Sequence, residues 1–241
     1  MPTTSYEKQI RASKTTRDVW AAVGAFFRGG DIDRVAYLHL PPLGAADETR
    51  PRLFSEGFPE QLVARYFQER LYRDNPGIRV ASVRVEPVYW DDLLTMEIRS
   101  ERERQFLDEV RAVDIGAGAG IHVYGPHGRG GQFSLGFRPG VRRLDPPVLG
   151  EAQWICQIGH LRYCALLTPA AAPSGELSER ESEVLAWVAR GKSNVTIGDI
   201  LGISTHTVNA HMRNIYLKLG VFDRVTAAVR GIGSGLIHAE T

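Results

Sequence analysis

The last quarter of the chain repeats hydrophobic residues at helical spacing. One apolar stripe is formed by Val208, Met212, Ile215 and Leu219. Its period predicts a helix that packs on its neighbours along this side. On the opposite side Asn209 and Arg213 lie one turn apart, with Ala210 beside them, and therefore point the same way. Asn can pair with adenine, Arg with guanine, and an alanine methyl can contact thymine, so the pattern predicts a helix that reads bases in the major groove.

Capping residues divide this region into four helices. Ser178 and Glu181 fit a capping box that starts the first helix. Ser193 and Ser204 are placed to cap the second and third helices, and Asp223 the fourth. Two helices joined by a short glycine-containing turn, the second with exposed polar residues, predict a helix-turn-helix. The inward positions predicted for the first two helices are Val184, Leu185, Val188, Ile197, Ile200 and Leu201.

The preceding residues mix helical and extended patterns. Helices are predicted at 6–27, 58–70, 99–113 and 147–167. Strands are predicted at 35–40, 80–89, 121–124 and 132–138. We place Phe106, Leu107, Val110 and Val113 inward on the third helix, and Ile155, Ile158, Leu161 and Ala165 inward on the fourth. The mixture predicts an α+β fold class, with an α/β/α sandwich around a central antiparallel sheet, followed by the all-α four-helix unit.

A run rich in alanine, proline and glycine at 168–175 has the composition of a linker. We therefore predict an N-terminal domain over 1–167, a linker over 168–176 and a C-terminal domain over 177–241.

The charge of the chain excludes a generally basic nucleic-acid binder. The 241 residues carry a formal net charge of +1. From Arg190 onward six basic residues face three acidic ones, a balance of +3. Because phosphate contacts supply much of the affinity for DNA, this modest excess implies that DNA binding depends on dimerisation or on a ligand.

Candidate catalytic chemistry is absent from the pattern. Cys156 and Cys164 lie on one predicted helix and are interpreted as small apolar residues of a reducing compartment. His122 and His127 have no metal-ligand spacing. The glycine-rich run 116–120 follows a helix, whereas a dinucleotide-binding loop follows a strand, so we interpret it as a flexible turn. We predict no enzyme, no catalytic or metal site and no cofactor.

The C-terminal residues resemble the LuxR-type DNA-binding domain. The resemblance rests on 177–181, 191–194, 201–204 and 218–219, together with Val184, Ile197, Thr207, His211 and Arg224. It implies that helix 205–219 reads operator DNA through Asn209 and Arg213. It implies phosphate contacts at Lys192, Thr205, Thr207 and Lys218. The family's last helix commonly forms a dimer contact, and the apolar repeat Val225, Val229, Ile232 and Leu236 suits either that contact or packing within its own bundle.

The N-terminal half resembles the autoinducer-binding domain that precedes such DNA-binding domains. The residues that carry the resemblance are Phe58, Pro59, Tyr66, Pro76, Trp90, Asp114, Gly116 and Gly120. The resemblance implies an acyl-homoserine lactone held between the sheet and a helical face. Phe58, Leu62 and Asn75 occupy the positions where the family usually has Tyr, Trp and Asp. Losing two donors and weakening an acceptor would remove on the order of 2–5 kcal/mol of binding free energy.

Several residues remain candidates for contact with the ligand. They are Phe58, Leu62, Tyr66, Asn75, Trp90 and Ser134. Ser134 lies two residues before Gly136, which stands where the family often has a hydroxyl. The expected ligand is therefore a lactone with unusual contacts or another small apolar signal.

Together the resemblances imply a cytoplasmic, ligand-responsive transcription factor of quorum-sensing type. Its implied partners are double-stranded operator DNA, a small apolar ligand, a second copy of the chain and RNA polymerase, with no membrane association. A regulator that needs no ligand or senses no lactone stays open, as does an inactive dimerisation partner of other regulators. A phosphorylation-driven response regulator would need the βα alternation of a receiver domain, which the sequence lacks.

Overall fold

The computed structural model describes residues 3–45, 47–48, 52–84, 86–113, 115–167 and 176–237. These residues form two compact units, one from the segments up to 40, 52–126 and 130–166, and one from 41–51, 127–129 and 167 onward. The predicted linker at 168–175 lies outside the described residues. Within the described segments, no helix combines the length and the apolar character that crossing a bilayer requires.

The first unit is built on a five-stranded antiparallel sheet. The strands are β1 (Ile32–Leu40), β2 (Leu53–Glu56), β3 (Val88–Tyr89), β4 (Gly118–Tyr124) and β5 (Gly130–Phe137), in the order β2-β1-β5-β4-β3. Every neighbouring pair is antiparallel. This topology confirms the predicted central antiparallel sheet, and it is not the parallel βα arrangement of a receiver domain.

Seven α-helices of the first unit accompany the sheet. They are α1 (Thr3–Ala12), α2 (Thr16–Phe27), α3 (Glu60–Gln68), α4 (Pro76–Ala81), α5 (Trp90–Leu93), α6 (Glu101–Val113) and α7 (Pro146–Leu166). One face of the sheet packs on α2 and α7, where the rings of Trp20 and Tyr163 meet that of Tyr37. A separate apolar cluster joins α4 and α6 to β3, with Val80, Val88 and Phe106 buried in it.

Strand alternation assigns different chemistry to the two faces. Tyr37 pairs with Phe133, and Phe133 pairs with Ile121, so odd-numbered positions form one buried apolar face. Even-numbered positions, such as Arg34 on β1 and Gln132 on β5, line a cavity on the other face. The same sheet therefore supports a packed core on one side and a cavity on the other.

Three predicted elements of the first unit are wrong. The single helix at 6–27 is two helices, because Thr15 and Asp18 form a capping box that starts α2. The extended segment at 80–89 begins as helix, because Asn75 caps α4 and Pro76 occupies its first position. Only 88–89 is strand. β2 lies between the strand predicted at 35–40 and the helix predicted at 58–70, where no strand was predicted.

The inner face of α7 differs from the prediction in part, because Ile155 and Ile158 are buried as predicted but the two later positions are not. Leu161 is 43% exposed and Ala165 is exposed, whereas Cys156, His160 and Cys164 are buried. The buried stripe follows the aromatic and polar side chains because those side chains meet Tyr37 of the sheet. Val113 and Ile200 were also predicted to face inward, but each is 43% exposed.

The described residues of the second unit form four α-helices, as predicted. They are α8 (Glu179–Ala189), α9 (Asn194–Leu201), α10 (Thr205–Leu219) and α11 (Arg224–Gly233). Ser178, Ser193, Ser204 and Asp223 each accept a backbone N–H at the helix starts, and Ser178 does so in a capping box with Glu181. The α10 stripe Val208, Met212, Ile215 and Leu219 is buried in the core of this unit.

Candidate ligand cavity and nucleic-acid interface

A cavity of about 820 Å³ lies in the first unit. That volume is in the range of small-molecule sites. All six side chains predicted to contact a ligand line it, namely Phe58, Leu62, Tyr66, Asn75, Trp90 and Ser134. Much of the remaining lining is aliphatic or aromatic, with Leu93, Phe106 and Leu107 from the apolar cluster. The cavity is therefore suited to an apolar chain.

Asn75 and Tyr66 act as a pair. The Asn75 side-chain oxygen accepts the backbone N–H of Gly77 at 2.8 Å and caps α4. Its amide nitrogen donates to the Tyr66 hydroxyl at 2.9 Å. Burial raises the pKa of Tyr66 to about 12, against the opposing effect of the Asn75 hydrogen bond. Since the Tyr66 oxygen accepts from Asn75, its hydroxyl hydrogen can be donated into the cavity, whereas Asn75 acts mainly as the group that orients it.

Trp90 depends on a glycine that we interpreted as part of a flexible turn. Gly118 belongs to β4, and a Cβ added there would lie 2.4 Å from the Trp90 ring. The ring centroid of Phe58 lies 6.2 Å from that of Trp90. The glycine-rich segment is thus strand rather than turn at this point, and its missing side chain makes room for the cavity aromatics.

Arg34 is a lining residue that sequence reasoning missed. Its side chain is 16% exposed and its Nε donates to Asp33 at 2.8 Å. Its two other nitrogens donate to the backbone carbonyls of Ile115 and Phe137. A Cβ added at Gly136, the partner of Arg34 across the strands, would lie 2.7 Å from the Arg34 Nε. The glycine at this position therefore accommodates a guanidinium, and an Arg inside an apolar strand was the available signal.

Gln132 is a second residue that sequence reasoning missed. It is 5% exposed and lines the cavity. Its amide nitrogen donates to the Phe133 carbonyl at 3.2 Å. Its side-chain oxygen makes no well-directed hydrogen bond within the part of the chain that the structure describes. Burial lowers the pKa of His122, its partner on β4, and the nearby Gln132 side chain opposes that effect. A buried acceptor without a partner costs free energy, so Gln132 is suited to receive an N–H or O–H from a ligand.

The predicted base-reading side chains are exposed on α10. Asn209 and Arg213 both face solvent. The Asn209 side-chain oxygen accepts from the Asn194 amide at 2.6 Å, and the Asn194 oxygen accepts from Arg224 at 2.6 Å. A chain of hydrogen bonds from the start of α11 therefore orients Asn209 and leaves its amide N–H groups available as donors.

The four predicted phosphate contacts have different environments. Lys192 and Thr205 are exposed, and the Thr207 hydroxyl lies 2.8 Å from that of Ser204. The Lys218 ammonium instead lies 2.7 Å from the carboxylate of Glu181. Burial alone would raise the pKa of Glu181, but the Lys218 and Ser178 hydrogen bonds lower it below its ordinary value. Lys218 is thus held within the helical unit, which argues against its predicted contact with phosphate.

The fourth helix presents apolar side chains to solvent. Val225 is 71% exposed, Ile232 is 54% exposed, and Phe222 just before the helix is 96% exposed. The Val225–Leu236 repeat was predicted either to form a dimer contact or to pack within its own bundle. Val225 and Ile232 do not pack within the bundle, because both side chains are exposed. An exposed apolar surface of this kind is typical of an interface with another protein.

Both parts of the chain match known protein families. Residues 15–163 match the autoinducer binding domain, and residues 175–230 match the bacterial regulatory proteins of the luxR family. SolR, a transcriptional activator protein of Ralstonia solanacearum, is 30% identical over 238 residues, which cover 95% of each chain. The HTH-type transcriptional regulator y4qH of Sinorhizobium fredii is 32% identical over 164 residues. That match covers 68% of this chain and 50% of y4qH, so this chain spans about half the length of that relative.

The fold matches solved structures of Escherichia coli SdiA. One crystal structure of SdiA superimposes with a TM-score of 0.76 at 20% identity and covers 97% of each chain. The structure of SdiA in complex with octanoyl-rac-glycerol gives a TM-score of 0.75 at 20% identity, covering 99% of this chain and 96% of the other.

Proposed function

Because this chain belongs to the LuxR family of transcriptional regulators with an autoinducer-binding domain, we propose that it couples a small amphiphilic ligand to operator recognition. Members of this family are transcription regulators and not enzymes. The observation that carries the proposal is the 820 Å³ cavity, which combines apolar walls with polar groups from three elements. We assign ligand sensing to 1–167, a linker to 168–176 and DNA binding to 177–241.

The polar groups of the cavity define what the ligand must offer. The Tyr66 hydroxyl can donate, Arg34 has donors beyond the three that its partners accept, and the Gln132 oxygen can accept. A ligand with an acyl chain, a carbonyl and an N–H or O–H group satisfies all three. Acyl-homoserine lactones have these groups, and so do acylglycerols such as the ligand bound to SdiA.

The ligand contacts can be tested with a matched pair of tyrosine variants. Tyr66→Phe removes the hydroxyl that faces the cavity, whereas Tyr72 neighbours Tyr66 but does not line the cavity. A neutral hydrogen bond contributes about 0.5–1.5 kcal/mol. Calorimetric titration with lactones and acylglycerols of increasing chain length should therefore give a roughly 2- to 13-fold weaker Kd for Tyr66→Phe and an unchanged Kd for Tyr72→Phe. Equal affinity of the two variants would contradict the proposed role of Tyr66.

On the DNA side, we propose that α10 enters the major groove with Asn209 and Arg213 against bases. Lys192, Thr205 and Thr207 then lie at phosphates. Arg213→Lys keeps the positive charge and removes the planar fork that pairs with guanine. Fluorescence anisotropy should show that this variant loses about 1–3 kcal/mol of preference for the operator and keeps its non-specific DNA binding. Unchanged operator preference would contradict the assignment of α10.

The remaining partners follow from the exposed surface and the family. We propose that the exposed apolar side chains at the start of α11 pair with a second copy of the chain, which would double the modest basic charge available to DNA. RNA polymerase would then contact the promoter-bound dimer. Such a regulator would work in the cytoplasm, where its DNA lies.

A further inference from the structure

A cluster of potential metal ligands lies on the side of the sheet away from the ligand cavity. His39 on β1 and His160 on α7 are fully buried, and Cys164 on α7 is 8% exposed. One ligand atom from each lies within 4.8 Å of the others. His160 and Cys164 are four residues apart on one helix and so face the same way. We propose that these three residues bind a soft monovalent metal ion, Cu⁺, independently of the ligand cavity.

The side-chain distances are close to those of a metal site. His160 Nε2 lies 3.5 Å from the Cys164 sulfur. Metal–nitrogen bonds of about 2.0–2.1 Å and metal–sulfur bonds of about 2.3 Å, arranged at about 120° around a three-coordinate ion, place neighbouring ligand atoms roughly 3.5–3.8 Å apart. The pair on α7 already has this spacing. The ligand nitrogen of His39 lies within 4.8 Å of the ligand atoms of the other two residues, so it needs to come only about 1 Å closer to reach the same spacing.

Tyr37 supplies the outer contact that metal-binding histidines require. Its hydroxyl lies 2.7 Å from His160 Nδ1 and 3.2 Å from His39 Nδ1. Ligand histidines commonly use one ring nitrogen for the metal and bind a protein partner with the other. Tyr37 can therefore hold both imidazoles through Nδ1, and the Nε2 of His160 lies beside the Cys164 sulfur.

The strand position that faces the cluster is a glycine, which leaves room for the side chains of the cluster. Gly131 on β5 pairs with His39 across the strands. A Cβ at Gly131 would lie 2.6 Å from the Tyr37 ring and 2.9 Å from His160 Nδ1. A second cavity, of about 340 Å³, is lined in part by Tyr37 and Tyr163. Through this cavity an ion can approach Tyr37, the residue that contacts both histidines.

Charge selects the ion. Coordination requires Cys164 as the thiolate, so binding forms the metal–sulfur bond and releases one proton from the thiol. A thiolate and Cu⁺ together carry no net charge, whereas a thiolate and Zn²⁺ leave one uncompensated positive charge. His39, His160 and Cys164 are all buried, and a net charge in a buried site is costly. Thiolate and imidazole ligands also suit soft copper ions.

The chain contains a matched control for Cys164. Cys156 is on the same helix and fully buried, and burial raises the pKa of its thiol well above the ordinary value. It is outside the ligand cluster. The full-length protein, Cys164→Ser, Cys156→Ser and Tyr37→Phe should each be titrated with Cu⁺ under anaerobic, reducing conditions against a chromogenic Cu⁺ chelator. Circular dichroism checks that each variant is folded, and Cys164→Ala serves if Cys164→Ser is not.

The expected result is one Cu⁺ per chain for the native protein and for Cys156→Ser. Binding should weaken at least 100-fold for the Cys164 variants, and about 10- to 100-fold for Tyr37→Phe, which keeps all three ligands but loses the outer contact. X-ray absorption of the loaded protein should show two nitrogen scatterers and one sulfur. Failure to compete with the chelator, equal binding by the folded Cys164 variants, or a preference for Zn²⁺ over Cu⁺ in a parallel titration would overturn the proposal.

Discussion

Removing the ammonium of Lys218 shows whether this residue stabilises the helical unit through its ion pair with Glu181 or contacts a DNA phosphate. The Lys218→Met variant keeps most of the aliphatic stem and deletes the cation 2.7 Å from Glu181. Glu181 is 4% exposed and keeps the backbone N–H of Ser178 at 2.7 Å as a partner. A buried carboxylate that loses one of its partners destabilises the fold. We therefore expect Lys218→Met to lower the stability of the helical unit and to leave its DNA contacts intact.

The stability lost in Lys218→Met depends on how deeply Lys218 and Glu181 are buried. Exposed ion pairs contribute about 0–1 kcal/mol, and breaking a buried pair costs about 3–5 kcal/mol. The Lys218 side chain is 30% exposed and that of Glu181 is 5% exposed. The pair lies between the two limits, so we expect a loss of about 2 kcal/mol. That loss corresponds to a roughly 30-fold fall in protection from hydrogen exchange.

Hydrogen exchange of α8 and α10, followed by mass spectrometry on the whole chain, measures this loss. Lys192→Met is the matched control, because Lys192 is an exposed lysine of the same unit. The control should keep its protection and lower the salt dependence of DNA binding by about one unit, whereas Lys218→Met should lose protection and leave the salt dependence unchanged. Unchanged protection in Lys218→Met, together with a weaker salt dependence, would refute the ion-pair assignment and restore Lys218 as a phosphate contact.

The same pair predicts a dependence on pH. The folded-state pKa of Glu181 is lowered from 4.5. Its contribution to stability is therefore present above the unfolded-state pKa and is lost as pH falls through the lower folded-state value. Between those two values Glu181→Gln should show a shallower fall in unfolding free energy than the native protein.

Three further variants test other parts of the structure. Asn194→Ala removes the group that orients Asn209, so we expect altered base preference at one operator position and unchanged non-specific affinity, measured by competition with single-base operator variants. Val225→Asp places a charge in the exposed apolar surface and should shift the protein to a monomer in analytical ultracentrifugation; a persistent dimer would locate the interface elsewhere. Gly118→Val must displace Trp90, so we expect a loss of about 1–3 kcal/mol of stability in urea titration, with altered tryptophan fluorescence.

Local signals were sufficient to predict the helical unit. Each of its helix starts has a Ser or Asp whose side chain accepts a backbone N–H, and the α10 stripe is buried as its period indicated. The helices and strands of the first unit were predicted less completely. The break between α1 and α2 depends on Thr15, and the start of α4 depends on Asn75, both of which had local signatures that a purely periodic reading misses.

The missed site residues depend on contacts that are distant in sequence. Arg34 meets Gly136 only after β1 pairs with β5. Gly118, interpreted as part of a turn, likewise meets the predicted site residue Trp90 only after the sheet forms. Gln132 became a candidate acceptor because its oxygen, which makes no well-directed hydrogen bond to the described residues, is buried beside a cavity. The inner face of α7 was misplaced for the same reason, since its polar residues are buried against Tyr37 of β1.

Native mass spectrometry of the purified protein tests the central claim most directly. Ala36 lines the cavity and is half-buried, so Ala36→Phe fills part of the space that a ligand would occupy. We predict that the native protein, incubated with an acyl-homoserine lactone or an acylglycerol series, binds one such molecule per chain. We also predict that folded Ala36→Phe binds none and no longer responds to the ligand in operator binding. Equal binding by the native protein and Ala36→Phe, or no binding by either across the series, would contradict the assignment of this cavity as the ligand site.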